Sequence, residues 1–185
     1  MVQSFQQRIL AAANKIFIDK GYRDADMRSI AKEAGIAVGT IYNYYPTKAA
    51  LYQDILSQQW QELDRAIAQL TEENRPPKEK IGRITDRLFE FVAQHMSMWH
   101  EIVEDPNRSS ILRDEGQKAQ ALAHDQLKRH LRRVFEELGT ASDVTERHVL
   151  TYIAAVTRIG MWFPAEKAKN EQYVMSLINN MLRTS

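Results

Sequence analysis

Apolar residues recur at three- and four-residue steps along almost the whole chain, and this periodicity restricts it to helices. Phe5, Ile9, Ala13, Ile16 and Phe17 line one face of a first helix over 4–20, with Gly21 as its C′ residue. Met27, Ile30, Ala31 and Ala34 mark a short second helix over 27–34, for which Asp26 is the expected N-cap and Gly35 the stop. A third covers 38–45, with Ile41 and Tyr45 four apart, and Pro46 ends it. Thr47 then caps a long fourth helix to about residue 73. Breaks at Asn74-Arg75-Pro76-Pro77, Asp105-Pro106-Asn107, Gly116, Gly139 and Pro164 divide the remainder. The segments between them read as helices over 78–103, 108–114, 117–138, 142–163 and 168–183, so that about nine are predicted. Asp143 and Glu146 have the spacing of a capping box for the eighth. No stretch alternates as a strand does, and the expected class is all-α, with a boundary near Pro46 dividing 1–46 from 47–185.

Composition removes several functions. The 185 residues include no Cys, which excludes a disulfide framework, a thiol nucleophile and a Cys-ligated metal. No apolar run approaches the ~18 residues of a membrane span, and the first residues lack a signal-peptide core, so a cytoplasmic protein without a membrane partner is expected. No nucleophile elbow, phosphate-binding glycine loop or HExxH occurs, and neither an enzyme nor a cofactor is predicted. His95 and His100 are five apart and do not share a helix face, so the Met-rich stretch 95–101 reads as packing rather than as a metal site. The net charge of +1 is unevenly spread. Residues 1–50 hold seven Lys/Arg against four Asp/Glu, and the rest hold 18 against 20. A mildly basic head suits a nucleic-acid contact.

Residues 26–48 carry the most chemistry. Two short helices joined by a Gly-containing turn read as a helix-turn-helix. Off the Ile41/Tyr45 face, Thr40, Tyr42, Asn43 and Tyr44 offer hydroxyl and amide groups for phosphate oxygens and base edges. Gly39 has no side chain to hold the backbone away from DNA. Lys48, in the first turn of the fourth helix, opposes the helix dipole, and either a solvated side chain or a bound phosphate at that terminus relieves the conflict.

Gly21-Tyr22, then Ile30 to Ile36 (IAKEAGI), then Gly39 to Leu51 (GTIYNYYPTKAAL) resemble the DNA-binding signature of the tetracycline-repressor (TetR) family. The resemblance covers about residues 8–56. It implies that Thr40 and Tyr44 approach bases or nearby backbone, that Tyr42 and Lys48 hold phosphates, and that Arg28 reaches a phosphate or a base. Asn43 would read a base edge, since an Asn bonds adenine bidentately. Three positions depart from the family pattern. Ala37 replaces the usual capping Ser or Thr; Val38 stands where a polar residue is frequent and would touch a thymine methyl; Asp26 stands where Thr usually meets phosphate.

The C-terminal segment offers less specific signals. Trp60, Phe89, His95, Trp99 and Tyr152 are the candidate lining of a small-molecule pocket, with plain core packing as the alternative. The basic run Lys128 to Arg133 reads as a solvated helix face, with Glu136 and Glu137 at four-residue spacing from Arg132 and Arg133. The last two helices are too apolar for one side to face water. The resemblance implies a homodimer through a four-helix bundle of these helices, and Val149, Ile153, Val156, Gly160, Val174 and Ile178 are its candidate interface. The expected function is a transcriptional regulator, a repressor that binds a palindromic operator as a homodimer and is released by a small molecule. The alternative is a helical carrier of an apolar small molecule without sequence-specific DNA binding.

Overall fold

The computed structural model describes residues 4–103 and 110–183. Among them are eight helices: α1 (Phe5–Asp24), α2 (Met27–Ala34), α3 (Val38–Tyr44), α4 (Lys48–Glu72), α5 (Pro77–Val103), α6 (Ser110–Glu137), α7 (Ser142–Trp162) and α8 (Lys167–Arg183). The chain is all-helical, as the periodicity predicts. The count falls one short of nine because α6 runs through Gly116, where a break is predicted. An interior glycine costs a helix only ~1 kcal/mol, which a long helix absorbs. No helix among the described residues is long and apolar enough to cross a membrane.

The chain forms two compact units, which divide at Gln59/Trp60, Met96/Ser97 and Ala119/Gln120. The first of these divisions lies within α4, later than the 46/47 boundary suggested by Pro46. The reason is packing: Leu51, Tyr52 and Ile55, from the first two turns of α4, belong to the core of the N-terminal unit. That core also takes Ile9, Ala13 and Phe17 from α1, Ile30 and Ala31 from α2, and Ile41 from α3. Phe17, Tyr22 and Tyr52 meet as an aromatic trio with centroid separations of 5.3–5.8 Å. Phe5, assigned to the buried face from its spacing, is instead exposed, with the Arg8 guanidinium 5.7 Å from its ring centroid. Ser4 and Gln7 form a reciprocal capping box at the start of α1. Gly21 takes φ 78°, and the chain resumes helical turns to Asp24.

The second unit packs Leu63, Ile67 and Leu70 of α4 with Ile81, Ile84 and Phe89 of α5, Leu131, Val134 and Phe135 of α6, Val149, Tyr152 and Val156 of α7, and Val174 and Ile178 of α8. Several polar groups in this core are matched. The Tyr152 hydroxyl lies 2.8 Å from Thr85 Oγ1. The buried Lys80 ammonium donates to Thr71 O (3.0 Å) and Glu137 Oε2 (2.7 Å). α7 begins at Ser142 with Ala141 as an N-cap that makes no side-chain bond, so Asp143 lies inside the helix rather than capping it. Thr140 and Thr145 close this turn instead, with hydroxyls 2.7 Å apart.

The run Lys128 to Arg133 is occupied by ion pairs. Lys128 pairs with Asp125, and Arg132 reaches Glu146 of α7. Arg133 reaches Glu72 of α4, with Glu137 at 3.8 Å. The run therefore ties neighbouring helices together through partners distant in sequence.

Candidate nucleic-acid interface

The helix-turn-helix is assembled from local caps. Asp26 caps α2 as predicted: its Oδ1 accepts from Arg28 N (3.0 Å) and Ser29 N (2.9 Å), and its Oδ2 from Ser29 Oγ (2.6 Å). The Ser29 bonds hold its carboxyl below the usual carboxylate range. The carboxylate that departs from the family pattern is thus employed within α2.

Gly35 ends α2 in the left-handed region (φ 64°, ψ 40°), its N–H donating to Ala31 O and Lys32 O. A second constraint acts at the same residue. Arg8 of α1 donates from Nη2 to Ala34 O (2.6 Å) and Gly35 O (3.0 Å), and a Cβ at position 35 would lie 2.9 Å from that nitrogen. Arg8 therefore fastens the turn between the two helices.

α3 has no side-chain cap, as Ala37 leads one to expect. Its position is fixed from the inward side. Ile41 is fully buried, and Tyr45 is buried, its hydroxyl donating to Asp54 Oδ2 of α4 at 2.5 Å and accepting from Gln6 Nε2 of α1 at 3.3 Å. Burial, and then the Asp54 bond, push the Tyr45 phenol up to about 12. Thr47 Oγ1 accepts from Ala50 N at 3.0 Å and starts α4.

Outward, α3 presents Val38 (37% exposed), Gly39, Tyr42 (49%), Asn43 and Tyr44 (45%), with Thr40 half-buried. Except for the half-buried Thr40, these predicted residues are exposed, as is Arg28 at the first turn of α2.

Lys48 is placed differently from the expectation. Its ammonium donates to Tyr22 O (2.5 Å), Ala25 O (2.8 Å) and Arg23 O (3.1 Å), with the Tyr22 ring centroid 4.4 Å away. These carbonyls close the C-terminus of α1. The negative end of one helix dipole thus compensates a cation at the positive end of another. Sequence reasoning missed this because the partners lie more than twenty residues upstream. Lys15 is also engaged internally, with Glu33 Oε1 at 2.5 Å.

Of the five pocket candidates, Trp60 packs against the cluster that holds Phe89 and Tyr152. Phe89 and Tyr152 are buried in the core of the second unit. Trp60 and His95 both meet Phe91, at centroid distances of 5.0 and 4.7 Å, and the Trp60 Nε1 is buried without a hydrogen-bond partner. Burial pushes the His95 imidazole down to about 4. The Trp99 side chain lies outside the described residues.

Of the predicted interface residues, Val149, Val156, Val174 and Ile178 are at most 2% exposed within a single chain, Gly160 is buried, and Ile153 is half-buried. The first four belong to the core of the second unit, against which Ile153 packs. The exposed apolar residues on these helices and at the end of α7 are Leu150, Trp162, Phe163 and Tyr173.

Residues 9–55 match the sequence family described as bacterial regulatory proteins, tetR family. The HTH-type transcriptional regulator UidR of Escherichia coli K12 is 39% identical over 99 residues, 54% of this chain and 45% of UidR, so the chain spans under half the length of this relative. Among solved structures, a TetR-like transcriptional regulator from Rhodococcus sp. RHA1 superposes over 100% of both chains with a TM-score of 0.70 at 18% identity. The transcriptional regulator FadR from Bacillus subtilis, solved in complex with stearoyl-CoA, covers 93% of this chain and 96% of its own, with a TM-score of 0.66 at 19% identity. The helix-turn-helix on residues 27–44 and the matched segment agree: residues 9–55 are a DNA-binding segment of the tetR family, on a chain that shares the fold of TetR-like regulators.

Proposed function

We propose that this chain is a DNA-binding transcriptional regulator that acts as a homodimeric repressor on a palindromic operator and is released by a small molecule. The observation that carries the reading is the anchored yet exposed α3: Ile41 and Tyr45 are locked inward, while Val38, Tyr42, Asn43 and Tyr44 stand exposed. Phosphate contacts fall to Tyr42 and Arg28 and base contacts to Thr40, Asn43 and Tyr44. Lys48 becomes a positioning residue that sets the start of α4.

A dimer supplies two recognition helices for two half-sites related by a dyad. The exposed Leu150, Trp162 and Tyr173 support a second copy against the outer side of α7 and α8. The small-molecule site belongs to the second unit, where Trp60, Phe91 and His95 cluster. The stearoyl-CoA held by the FadR of shared fold makes acyl-CoA esters the first compounds to screen.

The test is selection of a random duplex library on the full chain, followed by titration of the enriched duplex at 50 and 200 mM salt. A palindrome should enrich, its affinity should fall by orders of magnitude with salt, and Tyr42→Ala should weaken it. Absence of enrichment by a folded protein rejects the regulator in favour of a ligand carrier.

A further inference from the structure

α3 contains no charged side chain from Val38 to Tyr44, and three cations of the N-terminal unit are engaged elsewhere. Arg8 is fastened to Ala34 O and Gly35 O, Lys15 to Glu33, and Lys48 to three carbonyls of the α1 terminus. Arg28 stands on α2, the helix of such a motif that crosses the phosphate backbone. Guanine is most often read by Arg or Lys donating to O6 and N7, and α3 has neither. Its exposed groups suit the other base pair. The Asn43 amide can donate to adenine N7 and accept from N6, and the Val38 methyls can pack against the C5-methyl of thymine.

Resting on the DNA-binding reading above, we propose that α3 selects A·T base pairs, with Asn43 reading an adenine through N6 and N7 and Val38 covering a thymine methyl group. Tyr42 and Tyr44 stand on either side of Asn43 in sequence; Tyr42 bears on the phosphate backbone, and the Tyr44 hydroxyl, both donor and acceptor, adds a base contact that does not by itself distinguish the base pairs.

The experiment uses the full chain, the random duplex selection, and parallel selections with Asn43→Ala and Val38→Ala. Both positions are exposed, and thermal melts of the variants should match that of the parent chain. Asn43→Ala should relax the preference at one position, and that position should be A·T, with at least about a fivefold loss of discrimination. Replacing single thymines by deoxyuridine removes only the methyl group. One such replacement in a single half-site should weaken binding about fourfold, the worth of one buried methyl, and Val38→Ala should abolish that difference. The proposal is overturned if the position relaxed by Asn43→Ala is a G·C pair, or if every deoxyuridine duplex binds like its thymine parent. Failure of any duplex to enrich overturns the DNA-binding reading itself, and the base preference with it.

Discussion

Lys48 shows how one residue's chemistry can be settled by a distant partner. Three N–H donors meet three carbonyls, and the ammonium joins the end of α1 to the start of α4. Lys48→Met leaves those carbonyls without their cation and should cost about 1–3 kcal/mol of stability, read as a lower thermal midpoint. A phosphate contact would leave a different trace. Each one removed lowers the slope of log K against log salt by roughly one, and we expect the Lys48→Met slope to equal that of the parent chain. His95 supplies a pH effect. Its imidazole is held down to about 4 from an ordinary 6.5 by burial, so the unfolded chain takes up a proton before the folded one does. Stability should therefore fall as pH drops from about 6.5 towards 4, and a His95→Phe variant should show a flatter curve in denaturant titrations over that range.

Helix packing decides the outcome at Gly160. A Cβ there would lie 2.7 Å from Val92 Cγ1 and 3.1 Å from Phe89 Cδ1, so α7 meets α5 too closely for any larger residue. Gly160→Ala gains about 1 kcal/mol of helix propensity, whereas overpacking typically costs ~1–3 kcal/mol. The balance should be a net loss, seen as a thermal midpoint lowered by a few degrees. The same helix shows where sequence reading ends. The cap at Asp26, the stop at Gly35 and the uncapped start of α3 are local, and each is legible from residues within one turn. On α7, the stripe containing Val149, Val156 and Gly160 is as apolar as any interface, and periodicity cannot say whether an apolar stripe faces its own chain or another. Only the burial of these residues against α5, α6 and α8 assigns them to the core. Lys48 was illegible for a related reason: its conflict with the dipole was visible, but its partners lie at the end of a different helix.

Across the molecule, the basic side chains are placed by such local pairings. Counted along the sequence, residues 1–50 are basic, but Arg8, Lys15 and Lys48 spend their charge on internal contacts. The run on α6 likewise serves Glu72, Glu146 and Asp125. The contacts of Arg8, Lys15 and Lys48 leave the net charge of residues 1–50 as counted, but they hold the three side chains in place within the N-terminal unit. The oligomer can be tested independently of DNA. Tyr173→Lys combined with Leu150→Glu places charge on exposed apolar positions of α7 and α8 without touching the core. Sedimentation should show the parent chain as a dimer and the double variant as a monomer of unchanged helicity.

The anchoring of α3 has a consequence for how such a protein diverges. The residues that hold this helix (Ile41, Tyr45 and the Arg8 fastening behind it) are separate from those that stand outside. Changes at Val38, Asn43 or Tyr44 therefore alter what is recognised while drawing little on the stability that keeps the helix in place. A duplicated copy of this chain has a short mutational route to a new target, with few folding casualties along the way.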